Sequence, residues 1–282
     1  MSLSSQLFVS QIHPAVVDWY RKVQTNGGTL PSHYTVRAAD RFYKGLVANN
    51  LLPMIKCCNI FAPESLTTAL TPLICSSSVF NNPWTNTNFV SGDLTINGLI
   101  GNSSNKYLNT GIACNSIFST SNMGVTMYVP ENSAGVGHNY GCASNTSYTN
   151  DCVATLWVAG AGVFMDSYNT IVTTGGRYTI TQVAVWKGLL SMNRTATAVF
   201  NAYWHKPAAG FVLAQGPYTS TGGTVPTQPM YAFASNNSTA AAFYSGDRMS
   251  FLAFHDGMTF AQASIFYNLI QSLRTEIGGG YV

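Results

Sequence analysis

Four side chains of this sequence could supply acid–base chemistry for cleaving a polysaccharide. Tyr203 and His205 stand two residues apart in AYWHK, and Arg177 and Arg194 precede them. A sandwich-fold lyase would need Tyr, His and Arg side chains together on one concave face, where they can donate and accept protons. The periodicity of the sequence does not bring these four residues together, and we predict no catalysis from them.

Paired carboxylates would be the alternative chemistry, because glycosidases place two of them on either side of one groove. The sequence has ten acidic residues, and no strand-like segment carries a cluster of the E-x-D-x-x-E kind. They are scattered at Asp18, Asp40, Glu64, Asp93, Glu131, Asp151, Asp166, Asp247, Asp256 and Glu276. We therefore predict that the chain is not an enzyme and has no catalytic residues.

His255–Asp256 is the one sequence-adjacent pair that suggests a catalytic dyad. It lies between a strand-like run, MSFLAFH (249–255), and a T-x-x-Q capping box at Thr259. Nothing nearby supplies a nucleophile, so the pattern favours a strand-to-helix turn. Asp247 and Arg248 are likewise predicted to form a structural ion pair with each other at a strand entrance.

Metal and cofactor sites are not indicated. The loop SNTSYTND (144–151) offers oxygen ligands but one carboxylate, which favours a solvated loop over a calcium site. The cysteines lack the clustered spacing of a zinc site; they are Cys57, Cys58, Cys75, Cys114, Cys142 and Cys152. We predict reduced, buried thiols, with a Cys142–Cys152 pairing across a hairpin as the alternative.

Aromatic rings beside neutral polar groups are the remaining signal, and they indicate glycan binding. Tyr203 and His205 follow a strand-like run, and Tyr140 and Tyr148 lie in a loop-rich stretch. Strand alternation puts Tyr203 and His205 on one face and Trp204 on the other. These residues, Tyr203, His205, Tyr140 and Tyr148, are the candidate glycan-binding residues.

The composition limits the classes of partner. Charged residues are 8% of the chain, against about 25% in a typical soluble protein, so neutral polar groups must wet the surface. The net charge of +3 is spread without a basic run, which predicts no binding to nucleic acid or to a membrane surface. The first residues lack the pattern of a signal peptide. An extracellular composition without an export signal fits a particle that is assembled in a host cytoplasm and released by lysis.

Two kinds of element follow one another along the chain. Helical periodicity predicts helices over 13–23, 32–50 and 63–70, with a strand possible over 53–61. Short β-rich runs follow, including 107–113, 123–130, 153–160, 178–188, 195–205, 210–216, 230–236 and 249–255. An apolar helical face covers 259–277, and Gly278 stands in the C′ position. We predict a helical N-terminal segment over 1–75 and a β-sandwich over 76–282 with a closing helix.

Four segments in order carry a resemblance to a known family: GNSSNKYLNTGI (101–112), GLLSMNRTATAVFNAYWH (188–205), YAFASNN (231–237) and the run from YSGDRMSF to the end of the closing helix (244–278). They resemble the concanavalin-like, laminin-G-like jelly-roll modules of phage and prophage structural proteins. The resemblance implies a mainly β fold, an antiparallel jelly-roll β-sandwich with N-terminal helices and a C-terminal helix.

The resemblance also implies a role, although one fold supports many functions. We expect a non-enzymatic virion structural protein of a bacteriophage, either a capsid decoration (cement) protein or a tail or fibre component. Its partners would be copies of itself, in a trimer as the first expectation, and other virion proteins on the released particle. The alternative is a lectin-like, carbohydrate-binding module that recognises host or surface glycans.

Overall fold

Two antiparallel sheets face each other in the computed structural model, which describes residues 11–61, 64–76, 83–133, 135–144, 150–158, 162–169, 177–181, 187–206, 210–219, 224–238 and 240–279. The strands are β1 (Ile55–Ile60), β2 (Ile74–Cys75), β3 (Thr85–Thr87), β4 (Leu94–Thr95), β5 (Gly98–Ile100), β6 (Tyr107–Ala113), β7 (Met123–Val129), β8 (Gly137–Ala143), β9 (Asn150–Val158), β10 (Gly162–Asn169), β11 (Arg177–Thr181), β12 (Gly188–Ala196), β13 (Val199–Lys206), β14 (Gly210–Thr219), β15 (Pro229–Ala232), β16 (Ser235–Asn237), β17 (Ala240–Ala242), β18 (Arg248–Met249) and β19 (Phe251–His255). The helices are α1 (Pro14–Thr25), α2 (His33–Ala48), α3 (Leu66–Leu70), α4 (Cys114–Ile117) and α5 (Phe260–Glu276).

The sheets differ in the number and order of their strands. The seven-stranded inner sheet has the order β14-β13-β12-β7-β19-β1-β2. The nine-stranded outer sheet has the order β11-β10-β9-β8-β15-β6-β3, with β16 and β17 added at β8. The short β16 runs parallel to β8. A third sheet of three strands has the order β18-β5-β4.

Alternation along β7 shows why the inner sheet lies at the centre. Met123, Val125 and Met127 belong to the apolar core between the two sheets. Tyr128 belongs to a second core on the opposite face, together with residues of the helices. Since successive side chains of a strand point to opposite faces, both faces of the inner sheet are buried.

Helices α1, α2 and α5 form the layer that covers the second face. Each is amphipathic and buries its apolar positions against the sheet, such as Trp19 of α1, Phe42 of α2 and Phe266 of α5. The predicted caps are present: Ser32 accepts from the Thr35 amide, and Thr259 and Gln262 form a reciprocal capping box. The molecule therefore has three layers: outer sheet, inner sheet and helices.

The structure confirms the predicted fold class, a mainly β antiparallel sandwich with N-terminal helices and a C-terminal helix. The strand predicted over 107–113 is β6, and the closing helix predicted over 259–277 is α5, which spans Phe260–Glu276. The run 195–205, predicted as one strand, is divided between the end of β12 and β13, which pair as a hairpin. The segment predicted as helical over 1–75 also contributes a strand to the sandwich, because β1 pairs with β19 within the inner sheet.

We expect Phe266→Ala to lower the free energy of unfolding by about 3–5 kcal/mol, the usual cost of removing a buried phenyl ring. Its ring contacts those of Phe42, Phe251 and His255, at centroid distances of 6.1, 5.9 and 5.6 Å. Urea denaturation measures the effect. The control is Tyr34→Ala on α2, whose side chain is 67% exposed and whose loss should stay within about 0.5 kcal/mol. Equal losses in the two variants would contradict the central role of the helix layer.

Candidate functional site

Tyr203 and His205 lie beneath the helix layer, so they do not offer a surface to a glycan. Tyr203 is 3% exposed, and its hydroxyl donates to the Met258 carbonyl at 3.2 Å. The His205 ring stacks on Tyr267 of α5 at 4.7 Å, and burial lowers the pKa of His205. The predicted alternation is confirmed, since Trp204 packs against the opposite core. The prediction of a binding role is corrected, because both faces of this strand are covered.

Tyr140 lies elsewhere, in the core between the two sheets. It is buried, and its hydroxyl oxygen accepts from Thr155 Oγ1 at 2.7 Å. A ring enclosed by core residues cannot stack on a sugar, so this prediction is corrected as well. Tyr148 lies outside the described residues. The structure therefore does not bring the described candidates together: Tyr140 is separated from Tyr203 and His205 by the inner sheet.

The acid–base residues considered for a lyase are also dispersed. Arg177 lies on the outer sheet, where it makes two hydrogen bonds to the buried Asp166 carboxylate, at 2.6 and 2.7 Å. Arg194 is buried and donates to Ser167 Oγ at 2.9 Å. Tyr203 and His205 lie on the far side of the inner sheet. These side chains face different regions and form no shared groove.

His255 and Asp256 do not form a dyad. His255 is buried, and its Nδ1 lies 2.7 Å from the Asp256 backbone carbonyl. Since a carbonyl only accepts, Nδ1 carries the proton, and Nε2 accepts from Thr126 Oγ1 at 2.8 Å. The Asp256 carboxylate binds Lys56 Nζ and Asn122 Nδ2 instead, at 2.8 and 2.9 Å. The pair is a turn between β19 and α5, as predicted.

Asp247 and Arg248 have separate partners, so the predicted ion pair between them is wrong. Asp247 is buried and accepts from the Ser133 amide and from Asn139 Nδ2, both at 2.6 Å. Burial raises the pKa of Asp247, and these hydrogen bonds lower it in part. Arg248 pairs with Glu131 at 2.9 Å. Asp247 thus ties the segment after β17 to the segment before β8.

Aromatic rings are grouped on the outward face of the outer sheet. We call Tyr107, Tyr231, Phe243 and Tyr244 the aromatic patch. Tyr107 and Tyr231 come from the neighbouring strands β6 and β15 and stack at 4.8 Å. Tyr244 lies 6.2 Å from Tyr107. The alternating neighbours Leu108 and Ala232 point into the core, which places the two stacked tyrosines on the outward face.

Phe243 is the most open ring of the aromatic patch. It is 48% exposed, although it stacks on the buried His138 at 4.9 Å with an interplanar angle of 15°. The phenyl ring therefore rests on an imidazole, while about half of the residue stays exposed to solvent. Burial, with a further contribution from Arg177, lowers the pKa of His138 to about 3, so the supporting imidazole is neutral at pH 7.

The backbone at Phe243 is strained. Its φ of 52° lies in the left-handed region, which costs a bulky residue on the order of 1–3 kcal/mol. Two backbone hydrogen bonds hold Phe243 in this conformation. The His138 amide donates to the Phe243 carbonyl at 2.7 Å, and the Ser245 amide donates to the Phe233 carbonyl at 2.8 Å. Gly137 allows this approach, since a Cβ there would lie 2.4 Å from the Tyr244 carbonyl oxygen.

Neutral polar groups border the aromatic patch. Asn109 of β6 lies opposite Tyr231 on one side and Thr85 of β3 on the other. Thr87 lies opposite Tyr107 in the same register. Among the described side chains of this sheet, Arg177 and Asp166 form an ion pair, and the guanidinium covers the Phe164 ring at 5.0 Å. The described part of this surface thus combines the exposed Phe243 and partly covered tyrosines with amides and hydroxyls.

Two other kinds of site receive no support from the residues that the structure describes. Within those ranges, no group of three or more His, Cys, Asp or Glu side chains is placed to hold a metal ion. None of the described helices is both long and apolar enough to span a bilayer.

The sequence matches no protein-family model and no curated protein. Among solved structures, it is similar to domain 4 of AbnA, a GH43 extracellular arabinanase from Geobacillus stearothermophilus in complex with arabinotriose. That match has a TM-score of 0.43 and 13% identity over 76% of this chain and 98% of that one. It is also similar to the CBM40 of the Ruminococcus gnavus IT-sialidase, with a TM-score of 0.42 and 9% identity over 60% of this chain and 96% of that one.

A third similar structure is the NanB sialidase from Streptococcus pneumoniae, with a TM-score of 0.39 and 12% identity over 58% of this chain. The match spans only 26% of that sialidase. At such TM-scores and identities, none of the three likenesses carries weight for the function of this chain.

The sequence analysis did not identify the aromatic patch, although strand alternation could have indicated the outward position of Tyr107. Tyr107 and Asn109 alternate with Leu108 and Thr110 in a predicted strand, and this alternation alone places Tyr107 and Asn109 on one face. Phe243 had no such signal, because its exposure depends on a left-handed backbone outside any regular strand.

We expect the buried His255 to make the fold sensitive to acid. Burial lowers its pKa from 6.5 to about 4, so the neutral form stabilises the fold above pH 6.5, and this stability is lost as the pH falls towards 4. The loss is about 3 kcal/mol at 1.36 kcal/mol per pKa unit. His255→Gln keeps an acceptor for Thr126 and does not titrate. Urea denaturation between pH 7 and pH 4 should show a shallower loss for the variant; identical slopes would refute the assignment.

Proposed function

We propose that this chain is a lectin-like, carbohydrate-binding module, and that the aromatic patch on the outer sheet is its binding surface. The observation that carries the proposal is Phe243, an aromatic side chain that is 48% exposed and is supported by a buried imidazole. Exposed aromatic groups that cluster on one face of a domain commonly mark binding sites. The proposed role is binding without catalysis.

The geometry of the ring suits a sugar. One face of many pyranose rings presents C–H groups, which pack on a flat aromatic ring, while the hydroxyl groups at its edge need hydrogen-bonding partners. Phe243 supplies the flat surface. Asn109, Thr85 and Thr87 supply amide and hydroxyl groups on the same sheet. An apolar surface with a few polar groups that orient the ligand is the general design of small-ligand sites.

The charge near the aromatic patch favours a neutral sugar over an acidic one. His138 is uncharged at neutral pH because burial lowers its pKa to about 3. Arg177 is engaged by both oxygens of Asp166 and by the Phe164 ring. An acidic sugar would need an available cation to pair its carboxylate. We therefore propose a neutral hexose or pentose unit as the ligand.

The strain at Phe243 also supports a role in function. A left-handed phenylalanine costs stability that a glycine at the same position would not. Strained residues of this kind cluster at binding and catalytic sites, where the surrounding structure holds them. The hydrogen bond from the His138 amide and the stacking on its ring hold Phe243 in this way.

We expect the chain to bind neutral members of an array of neutral and sialylated oligosaccharides. Phe243→Ala should then weaken binding of the best array ligand at least about tenfold, the equivalent of 1.4 kcal/mol, as measured by titration calorimetry. Phe260→Ala removes a phenyl ring that is 42% exposed on α5, away from the outer sheet. It is the matched control and should bind as the wild type does.

A further variant separates binding from stability. Phe243→Gly should lose sugar binding as Phe243→Ala does. Its melting temperature should nevertheless be at least as high as that of Phe243→Ala, because glycine adopts the left-handed backbone without a Cβ penalty. An array without a single bound sugar would remove the proposal. So would binding that both Phe243 variants leave unchanged.

The role of a virion structural protein remains a prediction from the sequence. We retain it as a second proposal, with its homo-oligomer, its virion partners and its place on the particle. A glycan-binding module on a tail or fibre would satisfy both proposals. Gold-labelled antibody on purified particles tests it: labelling of the shell or tail supports a virion role, and unlabelled particles contradict it.

A further inference from the structure

Two cysteines face each other at the edge of the inner sheet. Cys57 of β1 lies directly opposite Cys75 of β2 in the antiparallel register, and their sulfur atoms are 2.9 Å apart. Both thiols are reduced in this structure. A disulfide bond needs its sulfur atoms at about 2.05 Å, so a small adjustment of the two side chains would bring them to bonding distance.

The backbone between these strands suits a disulfide as well. The Ser76 amide donates to the Lys56 carbonyl at 2.8 Å. The adjacent pair, Cys57 with Cys75, is therefore of the non-hydrogen-bonded kind, in which facing Cα atoms are about 4.5 Å apart. Disulfides span Cα separations of about 4.4–6.8 Å. The bond could form without a change in strand pairing.

We infer that Cys57 and Cys75 are a disulfide-forming pair in the folded chain, closed by exchange with a small-molecule disulfide such as oxidised glutathione. This inference is independent of the proposed glycan-binding surface. It concerns a covalent modification of the inner sheet, on the opposite side of the sandwich core from the aromatic patch.

The order of the exchange follows from burial. Cys75 is half-buried, whereas Cys57 is fully buried, and burial raises the pKa of Cys57. Cys75 thiolate therefore attacks first, at one sulfur of glutathione disulfide, and one glutathione leaves as a thiolate. Cys57 then attacks the sulfur of Cys75 and releases the second glutathione. Two protein thiols are oxidised, one glutathione disulfide is reduced, and the two thiol protons pass to the two departing glutathiones.

The bond would anchor a segment that joins the layers. β2 is a two-residue edge strand, and the segment before it contacts the N-terminal helices and their linker. The Thr71 carbonyl accepts from Trp19 Nε1 at 3.0 Å, and Thr68 Oγ1 donates to the Thr29 carbonyl at 2.7 Å. A cross-link from Cys57 to Cys75 closes the loop between them and restricts the unfolded chain.

Cys58 provides a matched control within the same strand. It is as fully buried as Cys57, but it belongs to the core on the helix side of the inner sheet, whereas Cys57 belongs to the core between the sheets. In the register it lies opposite Ile74 rather than Cys75. Cys58→Ser therefore removes an equally buried thiol next to Cys57 and leaves the facing pair, Cys57 and Cys75, intact.

The experiment incubates the folded, full-length chain with oxidised glutathione, alkylates the remaining thiols and cleaves the denatured product after Lys56 and Glu64. Those two cuts separate Cys57 and Cys58 from Cys75. Mass spectrometry without reduction should find the two peptides joined, with the loss of two hydrogens. The oxidised protein should also show a melting temperature higher by several degrees than the reduced protein.

Variants decide the assignment. Cys58→Ser should form the link and gain thermal stability as the wild type does. Cys57→Ser should give no link and leave glutathione bound to Cys75. Should Cys57→Ser fail to fold, Cys75→Ser at the half-buried edge should give no link and no shift in melting temperature. A wild-type chain whose peptides stay separate would overturn the inference, and so would a link that persists in Cys57→Ser or disappears in Cys58→Ser.

Discussion

The rest of the structure depends on one constraint, the burial of both faces of the inner sheet. Every second residue of β7 and β19 packs towards the outer sheet, and the residues between pack towards α1, α2 and α5. A sheet with two apolar faces is stable only when each face is covered. The N-terminal helices and the closing helix are thus part of the same fold as the sandwich, and β1 within that N-terminal segment pairs with β19.

That constraint also determines where a ligand can bind. The inner sheet has no open face within the described residues, and the exposed aromatic ring, Phe243, lies beside the outer sheet. Tyr107 and Tyr231 reach the outward face of that sheet from paired strands, and the segment that ends at Phe243 returns across it. The buried Asp247, held by Ser133 and Asn139, fixes the end of that returning segment. The aromatic patch is therefore positioned by rigid strands and by one well-bonded carboxylate.

Local sequence patterns predicted the strands and helices better than they predicted which faces are covered and which distant residues are in contact. The strand at Tyr107–Ala113 and the helix at Phe260–Glu276 followed from alternation and from a capping box, both of which are short-range. Period-two alternation correctly put Tyr203 and Trp204 on opposite faces, but it cannot tell which face is covered. Here the helix layer covers one and the outer sheet covers the other. The partner of Arg248, Glu131, lies 117 residues away, beyond any local pattern.

Scarcity of charge explains how this fold responds to pH. Where a more charged protein would use ion pairs, Thr126, Ser191 and His255 form a buried chain of hydrogen bonds. Burial lowers the pKa values of His138 and His255, and it raises those of Asp166 and Asp247.

The buried histidines and the buried carboxyls change the stability of the fold in opposite directions as the pH falls. Protonation of the histidines in the unfolded chain destabilises the fold, whereas protonation of the buried carboxyls relieves their desolvation. Since unfolded histidines titrate near pH 6.5, the contribution of the buried neutral histidines begins to fall at that pH. Their contribution declines in mild acid, while His138 continues to support Phe243 in its neutral form at physiological pH.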